Sequence, residues 1–258
     1  MASVVRLLSA LGFVAAAALA LPAQAEEFKF PGTFSANAGL VTEYRFRGLD
    51  QSNKNPAIQG GIDWSVDTGV GGTSVYLGTW GSNVDFGSTT ATGASAEMDF
   101  YGGVSGSFNN IGWDVGLIYY AYPGAASSLN YDFWEASLGL SYDIMDGLSV
   151  GAKYAYSPEF FADSGAAHWI EGNVSYAVPV KVLAGITLDA SIGYQKIEKN
   201  ATFAQPDYVT WSVGASLGIT ENVSIGVHYI DTDISSGDTN ATPALADGTV
   251  VASLTASF

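Results

Sequence analysis

The chain has 258 residues, with 25 acidic against 9 basic, no cysteine, and charged residues at only 13% beside 48% hydrophobic. So acidic a chain is a poor partner for nucleic-acid phosphates, which are bound through Lys and Arg, and without cysteine it can form no disulfide framework. Ordinary soluble domains are about one-quarter charged, so this composition points away from a typical soluble enzyme and towards an apolar, aromatic, Gly-rich β fold.

In chain order, residues 1–25 read as a secretory signal peptide. A short start carries Arg6, an apolar run follows over 7–21, and Ala23-Gln24-Ala25 is a small-x-small cleavage site. The expected mature chain, 26–258, loses only Arg6 of the basic residues and none of the acidic ones. It has no run of 18 apolar residues, so a membrane-spanning helix is not expected.

The pattern from residue 33 onward has a period of two. Twelve alternating segments are expected, near 33–46, 57–67, 73–84, 97–108, 111–122, 132–142, 147–157, 168–177, 184–196, 207–218, 222–231 and 248–258. The ninth shows the pattern well: Ile186, Leu188, Ala190, Ile192 and Tyr194 alternate with Thr187, Asp189, Ser191, Gly193 and Gln195. Such a period sets one group on each face of a strand. Segments of about ten residues match a tilted bilayer crossing, whereas soluble strands average five or six.

The connections alternate between short and long. Short turns fall near 68–72, 109–110, 143–146, 178–183 and 219–221, and long loops over 48–56, 85–96, 123–131, 158–167, 197–206 and 232–248. Outer-membrane barrels have short periplasmic turns and longer external loops. A first strand starting in the periplasm puts every long loop outside. Aromatics support the same topology. Tyr44, Tyr119, Trp134, Tyr154, Tyr194, Trp211 and Tyr229 are expected to face outward near the loop ends. Phe34, Trp64, Phe108, Trp113, Tyr142, Tyr176 and Phe258 lie near the turn ends. Two aromatic girdles fit two headgroup layers. The expected fold is therefore all-β, a transmembrane antiparallel up-and-down barrel of about 12 strands.

Three stretches resemble the TorF porin family: Glu43-Tyr44-Arg45-Phe46-Arg47-Gly48 with Asn55-Pro56-Ala57-Ile58-Gln59-Gly60-Gly61, then Gly78-Thr79-Trp80-Gly81-Ser82-Asn83-Val84-Asp85-Phe86, then Glu97-Met98-Asp99-Phe100-Tyr101-Gly102-Gly103. The likeness covers roughly residues 33–140. It implies an outer-membrane barrel, and a porin in so far as architecture defines one; fold analogy alone does not establish function. The terminal Phe258 is similar to the assembly signal of outer-membrane barrels as a class.

If the apolar set meets lipid, the other set lines the interior: Glu43, Asp63, Glu97, Asp99, Asp114, Glu135, Glu171 and Asp189, with Arg45, Arg47 and Lys153. Acidic rings favour cations, so a cation-preferring diffusion pore for small hydrophilic solutes is expected. The competing arrangement is a filled barrel with its acids and bases paired. Arg45 and Arg47 are expected near the outer rim, where Arg–carboxylate pairing could pin the first loop.

Other motifs are weaker. Gly147-Leu148-Ser149-Val150-Gly151 and Gly214-Ala215-Ser216-Leu217-Gly218 match the nucleophile-elbow pattern but lie beside or within alternating strands, not at a strand-to-helix turn. Asp231, Asp233, Ser235 and Asp238 resemble a calcium loop with its glycine one place late. His168 and His228 lack metal-ligand spacing and have no Ser two residues on, as a lipid-acting barrel enzyme would need. No cofactor, metal or catalytic residue is expected. The expected surroundings are the outer membrane of a Gram-negative cell, its lipid and lipopolysaccharide, and the barrel-assembly machinery. A non-conducting adhesin or scaffold is the alternative.

Overall fold

In the computed structural model the described residues are 30–87, 93–179, 185–235, 237–238 and 242–258. The expected signal segment lies outside them. Twelve wall strands close into one barrel in sequence order: β1 (Thr33–Val41), β4 (Ala57–Asp67), β5 (Thr73–Asn83), β6 (Ala96–Phe108), β7 (Ile111–Ala121), β8 (Phe133–Met145), β9 (Leu148–Ser157), β10 (Ala167–Ala177), β11 (Ile186–Ile197), β12 (Tyr208–Gly218), β13 (Val223–Thr232) and β14 (Thr249–Ser257). Two further short strands, β2 (Arg45–Phe46) and β3 (Leu49–Asp50), pair only with each other.

Every wall pairing is antiparallel, and β1 closes the ring by pairing with both β4 and β14. Closure leaves no edge strand with unsatisfied backbone groups. The outer surface carries what a soluble protein would bury. Ile58, Ile62, Leu77, Phe100, Leu117, Leu138, Leu140, Ile170, Ile192, Val213, Val227, Val250 and Leu254 are all exposed on it. An apolar belt on that scale fits a bilayer rather than water.

The strand limits follow the expected ones to within three residues, with one larger departure. The first strand stops at Val41 instead of running to residue 46. The chain turns inward there. The two residues between β2 and β3, Arg47 and Gly48, both have positive φ, 50° and 86°. That is the geometry of a tight two-residue hairpin turn. A smaller departure is β8, which continues to Met145 through a register shift between Asp143 and Met145.

Inside the barrel, glycines make room for long side chains that reach across the wall. Asp63, Gly78 and Tyr101 are aligned on three adjacent strands. The Tyr101 ring crosses Gly78 and donates its hydroxyl to Asp63 Oδ1 at 2.6 Å. Asp189, Gly214 and His228 repeat the arrangement. His228 Nε2 lies 2.5 Å from Asp189 Oδ2. Trp169 lies over Gly193 in the same way.

A Cβ at Gly78 would collide with the Tyr101 ring and the Asp63 carboxylate. Gly78→Val is therefore expected to destabilise the folded barrel by about 1–3 kcal/mol, the usual cost of overpacking. Tyr101→Ala in the same background should recover part of the loss. Urea midpoints of the purified protein in detergent test this; a Gly78→Val variant as stable as wild type would show that Tyr101 is not seated there.

Candidate functional site

The interior divides into two zones. At the long-loop end the β2–β3 hairpin lies across the lumen, and towards the short-turn end the wall side chains remain partly exposed.

The hairpin is held by side chains from nearly every direction. Arg47 is the centre. Its Nη1 and Nη2 donate to Glu135 Oε1 and Oε2 at 3.0 and 2.6 Å, a two-point fork on β8. Nη1 also donates to Gln195 Oε1 on β11 at 2.8 Å. The guanidinium carbon stands 4.8 Å from the Phe46 ring centre and 4.9 Å from that of Trp169. The Arg47 side chain is 8% exposed and that of Glu135 2%, so this pair is removed from water. Burial works against the Arg47 charge, but Glu135 and Tyr120 outweigh it and hold the guanidinium above its usual value.

Around that centre, Arg45 pairs with Glu43 and donates to the backbone oxygens of Gly48 and Leu245 at 2.9 and 3.0 Å. Glu43 also accepts from Thr249 Oγ1 on β14 at 3.2 Å. Tyr44 donates to Glu97 Oε1 on β6 at 2.6 Å and meets Trp80 edge-on. Its phenol is pushed up by burial first and by Glu97 second. Phe46 packs edge-on against Tyr120. Leu49 is buried with Tyr208 and Ala246. Gly48 sits so close to Thr210 and Thr232 that no Cβ would fit.

Above the hairpin the long loops join through aromatic contacts. Phe86, Tyr122, Tyr131 and Phe161 pack on one another, with Tyr131 and Phe161 stacked at 4.2 Å. Aspartates at the strand starts pin these loops: Asp132 Oδ1 accepts the Tyr122 amide at 2.8 Å, and Asp207 Oδ1 the Ile197 amide at 2.9 Å. A cleft lined by Phe46, Leu49, Phe86, Tyr131 and Phe203 remains between the loops and the hairpin.

The residues expected to line the lumen thus separate. Glu43, Arg45 and Arg47 belong to the inward segment, where Arg47 reaches β8 and β11 and Glu43 reaches β14. Glu97, Asp99 and Glu135 are buried wall residues at the same level. Four carboxylates there face two guanidiniums, and Asp99 Oδ1 is buried without a hydrogen-bond partner. Asp63, Asp114, Glu171 and Asp189 stay partly exposed on the wall towards the turn end, and Lys153 is exposed there. Phe258 is exposed at the chain's end, where its backbone exchanges hydrogen bonds with Ala36. Tyr44, expected on the lipid face, points into the barrel instead, because β1 ends before it. The partners Gln195, Trp169, Tyr120 and Thr210 escaped the sequence reading. Gln195 had the inward position of its strand, but nothing local marks it as an Arg partner.

The remaining motifs have ordinary settings. Ser149 and Ser216 lie in antiparallel strands. Asp231 and Asp233 accept the amides of Thr232 and Val209 at strand ends, and Asp238 accepts the Ser235 amide. Among the described residues no group of three potential ligands could hold a metal ion. His168 bonds Tyr154 on the outer surface at 2.7 Å.

A bacterial family described as "Bacterial protein of unknown function (Gcw_chp)" matches residues 25–258. No curated protein matches by sequence. Among solved structures, "KdgM porin" superposes with a TM-score of 0.53 at 13% identity, over 87% of this chain and 99% of the other. "KdgM porin in complex with disordered oligogalacturonate" gives 0.54 at 12%, over 87% and 98%. "NanC porin structure in rhombohedral crystal form" gives 0.52 at 11%, over 88% and 99%. At such identities the likeness is one of fold.

Tyr44 supplies a pH test. Its folded-state phenol keeps its proton above pH 10, where an unfolded tyrosine loses it. That contribution to stability is complete below about pH 10 and is lost as the pH rises further. Tyr44→Phe should lower stability by about 1–3 kcal/mol at pH 8, the usual cost of leaving a buried hydrogen-bonding group unsatisfied. The gap from wild type should narrow at pH 11. An equal gap at both pH values, read from urea midpoints, would contradict the assignment.

Proposed function

Because the chain belongs to the Gcw_chp family, whose function is unknown, we propose its role from the barrel itself: an outer-membrane, porin-like protein for passive diffusion of small hydrophilic solutes, with a preference for cations. The observation that carries this reading is the polar zone towards the turn end, a wet interior inside a closed, apolar-belted barrel. Asp63, Asp114, Glu171 and Asp189 supply acids there, against Lys153 and His228. Fixed carboxylates along a pore concentrate cations and repel anions. Likeness of fold to porins and the TorF-like stretches support the same reading. The long loops then face the exterior, and lipid and lipopolysaccharide surround the apolar belt. Export through a cleaved signal near Ala25 and delivery to the assembly machinery through Phe258 complete the proposal.

A second reading has its own support. The hairpin fills the long-loop end, and the external loops form an aromatic cleft. Both suit a non-conducting barrel that binds at its surface.

Planar-bilayer recordings of the purified protein distinguish the two. The expected result is discrete steps whose reversal potential in a KCl gradient has the sign of cation preference. Glu171→Gln with Asp189→Asn should move that potential towards zero. An absence of steps, or a preference for anions, would sink the diffusion reading.

A further inference from the structure

The hairpin closes the lumen, yet its attachments are not those of a permanent plug. Among the described residues, two backbone–backbone hydrogen bonds leave residues 43–54: a local one from the Asn55 amide to the Ser52 oxygen at 3.0 Å, and a single one to a distant part of the chain, from the Asp85 amide to the Gln51 oxygen at 2.8 Å. Almost everything else that holds the hairpin is a side-chain contact. A wall strand such as β10, by contrast, is paired over almost its whole length with a neighbour on each side.

The hairpin also carries its own internal structure. The Gln51 amide donates to the Tyr44 oxygen at 2.8 Å, and the Tyr44 amide to Ser52 Oγ at 2.9 Å. Asp50 accepts the amides of Ser52 and Lys54 at 2.9 and 2.8 Å. Arg45 closes onto Glu43 and Gly48 within the same segment. These bonds would survive if the segment moved as a unit. Its two stems meet the barrel side by side, since Val41 and Ala57 are register partners on β1 and β4. A rigid flap attached at one side has a hinge.

The contact opposite that hinge is Arg47 with Glu135 and Gln195. A buried ion pair contributes little net stability, because the desolvation of both charges offsets their attraction. Releasing both together returns their hydration. Removing only one leaves a bare charge in the closed state and is strongly unfavourable. This contact can therefore hold the flap without making its release prohibitive.

We propose that residues 43–54 form a hinged gate across the lumen, latched by Arg47 to Glu135 and Gln195, and that the barrel conducts when the latch releases. The proposal rests on the diffusion reading above and supplies its regulation. Beneath it the wall side chains Asp63, Asp114, Glu171 and Asp189 are partly exposed, so the gate stands between them and the loop end.

Single-channel recording of the full mature chain tests it, with folding of each variant checked by heat-modifiable gel mobility. Wild type should be mostly closed, with rare openings. Arg47→Met and Glu135→Gln should each raise the open fraction about tenfold or more at an unchanged step size. Arg47→Met combined with Glu135→Met, which removes both charges, should return it towards wild type. A control in which residues 44–52 are replaced by a short Gly-Ser link should stay open with the same step. If that control conducts while both single variants are as closed as wild type, the hairpin is a fixed plug; the gate fails and the diffusion reading stands. If wild type is already as open as the control, the hairpin does not close the lumen and the gate fails. If the control does not conduct, the diffusion reading fails and the gate with it.

Discussion

The whole structure depends on the pairing of β1 with both of its neighbours. Bilayer lipid offers no hydrogen bonds, so a strand there must have its backbone groups satisfied on both sides. β1 meets β4 over nine register pairs, Thr33↔Ser65 through Val41↔Ala57, and meets β14 from Asn37 to Val41. Twelve strands so closed leave a lumen too wide for their own side chains to fill. At the turn end that space is lined by the partly exposed Asp63, Asp114, Glu171 and Asp189. At the loop end it is occupied by the segment that follows β1, which leaves the wall once its last rung, the Thr42 amide to the Ala252 oxygen, has formed.

The wall was legible in the sequence because a lipid-facing strand obeys a strict rule. Ile186 to Tyr194 alternate without exception, and the structure puts Leu188 and Ile192 on the exposed face and Gln195 inside. The turn-and-loop order was legible for a related reason: Asn109, with φ of 55°, and Gly147, with φ of 79°, are turn residues at short connections. The first strand was misjudged past Val41 because residues 42–46 still look like a strand. Tyr44, Arg45 and Phe46 have the side chains of one, and only the positive φ of Arg47 and Gly48 shows that the segment turns back on itself. An arginine at that conformation gives no warning in sequence.

The interior contacts were harder to read for a different reason. Arg47 and Glu135 are 88 residues apart, and Arg47 and Gln195 are 148 apart. The sequence placed all three on the inner face and Arg47 near the outer rim, but could not say which partner it meets. The glycine seats were equally hidden. Gly78 and Gly214 read as small residues in a strand, and their use, letting Tyr101 and His228 reach carboxylates two strands away, exists only once three strands are in register. The acidic balance was visible from composition; its division into a buried group beside the hairpin and a wet group below it was not.

The central claim is that the lumen is wet towards the turn end and sealed at the loop end by the hairpin. The chain has no cysteine, so single cysteines report on this directly. Lys54→Cys would stand on the exposed tip of the first loop, and Lys153→Cys inside the barrel below the hairpin. With a membrane-impermeant maleimide added to intact cells, the expected result is rapid labelling at position 54 and protection at 153, with 153 labelled once the cells are opened. Equal labelling of the two positions from outside would contradict the seal.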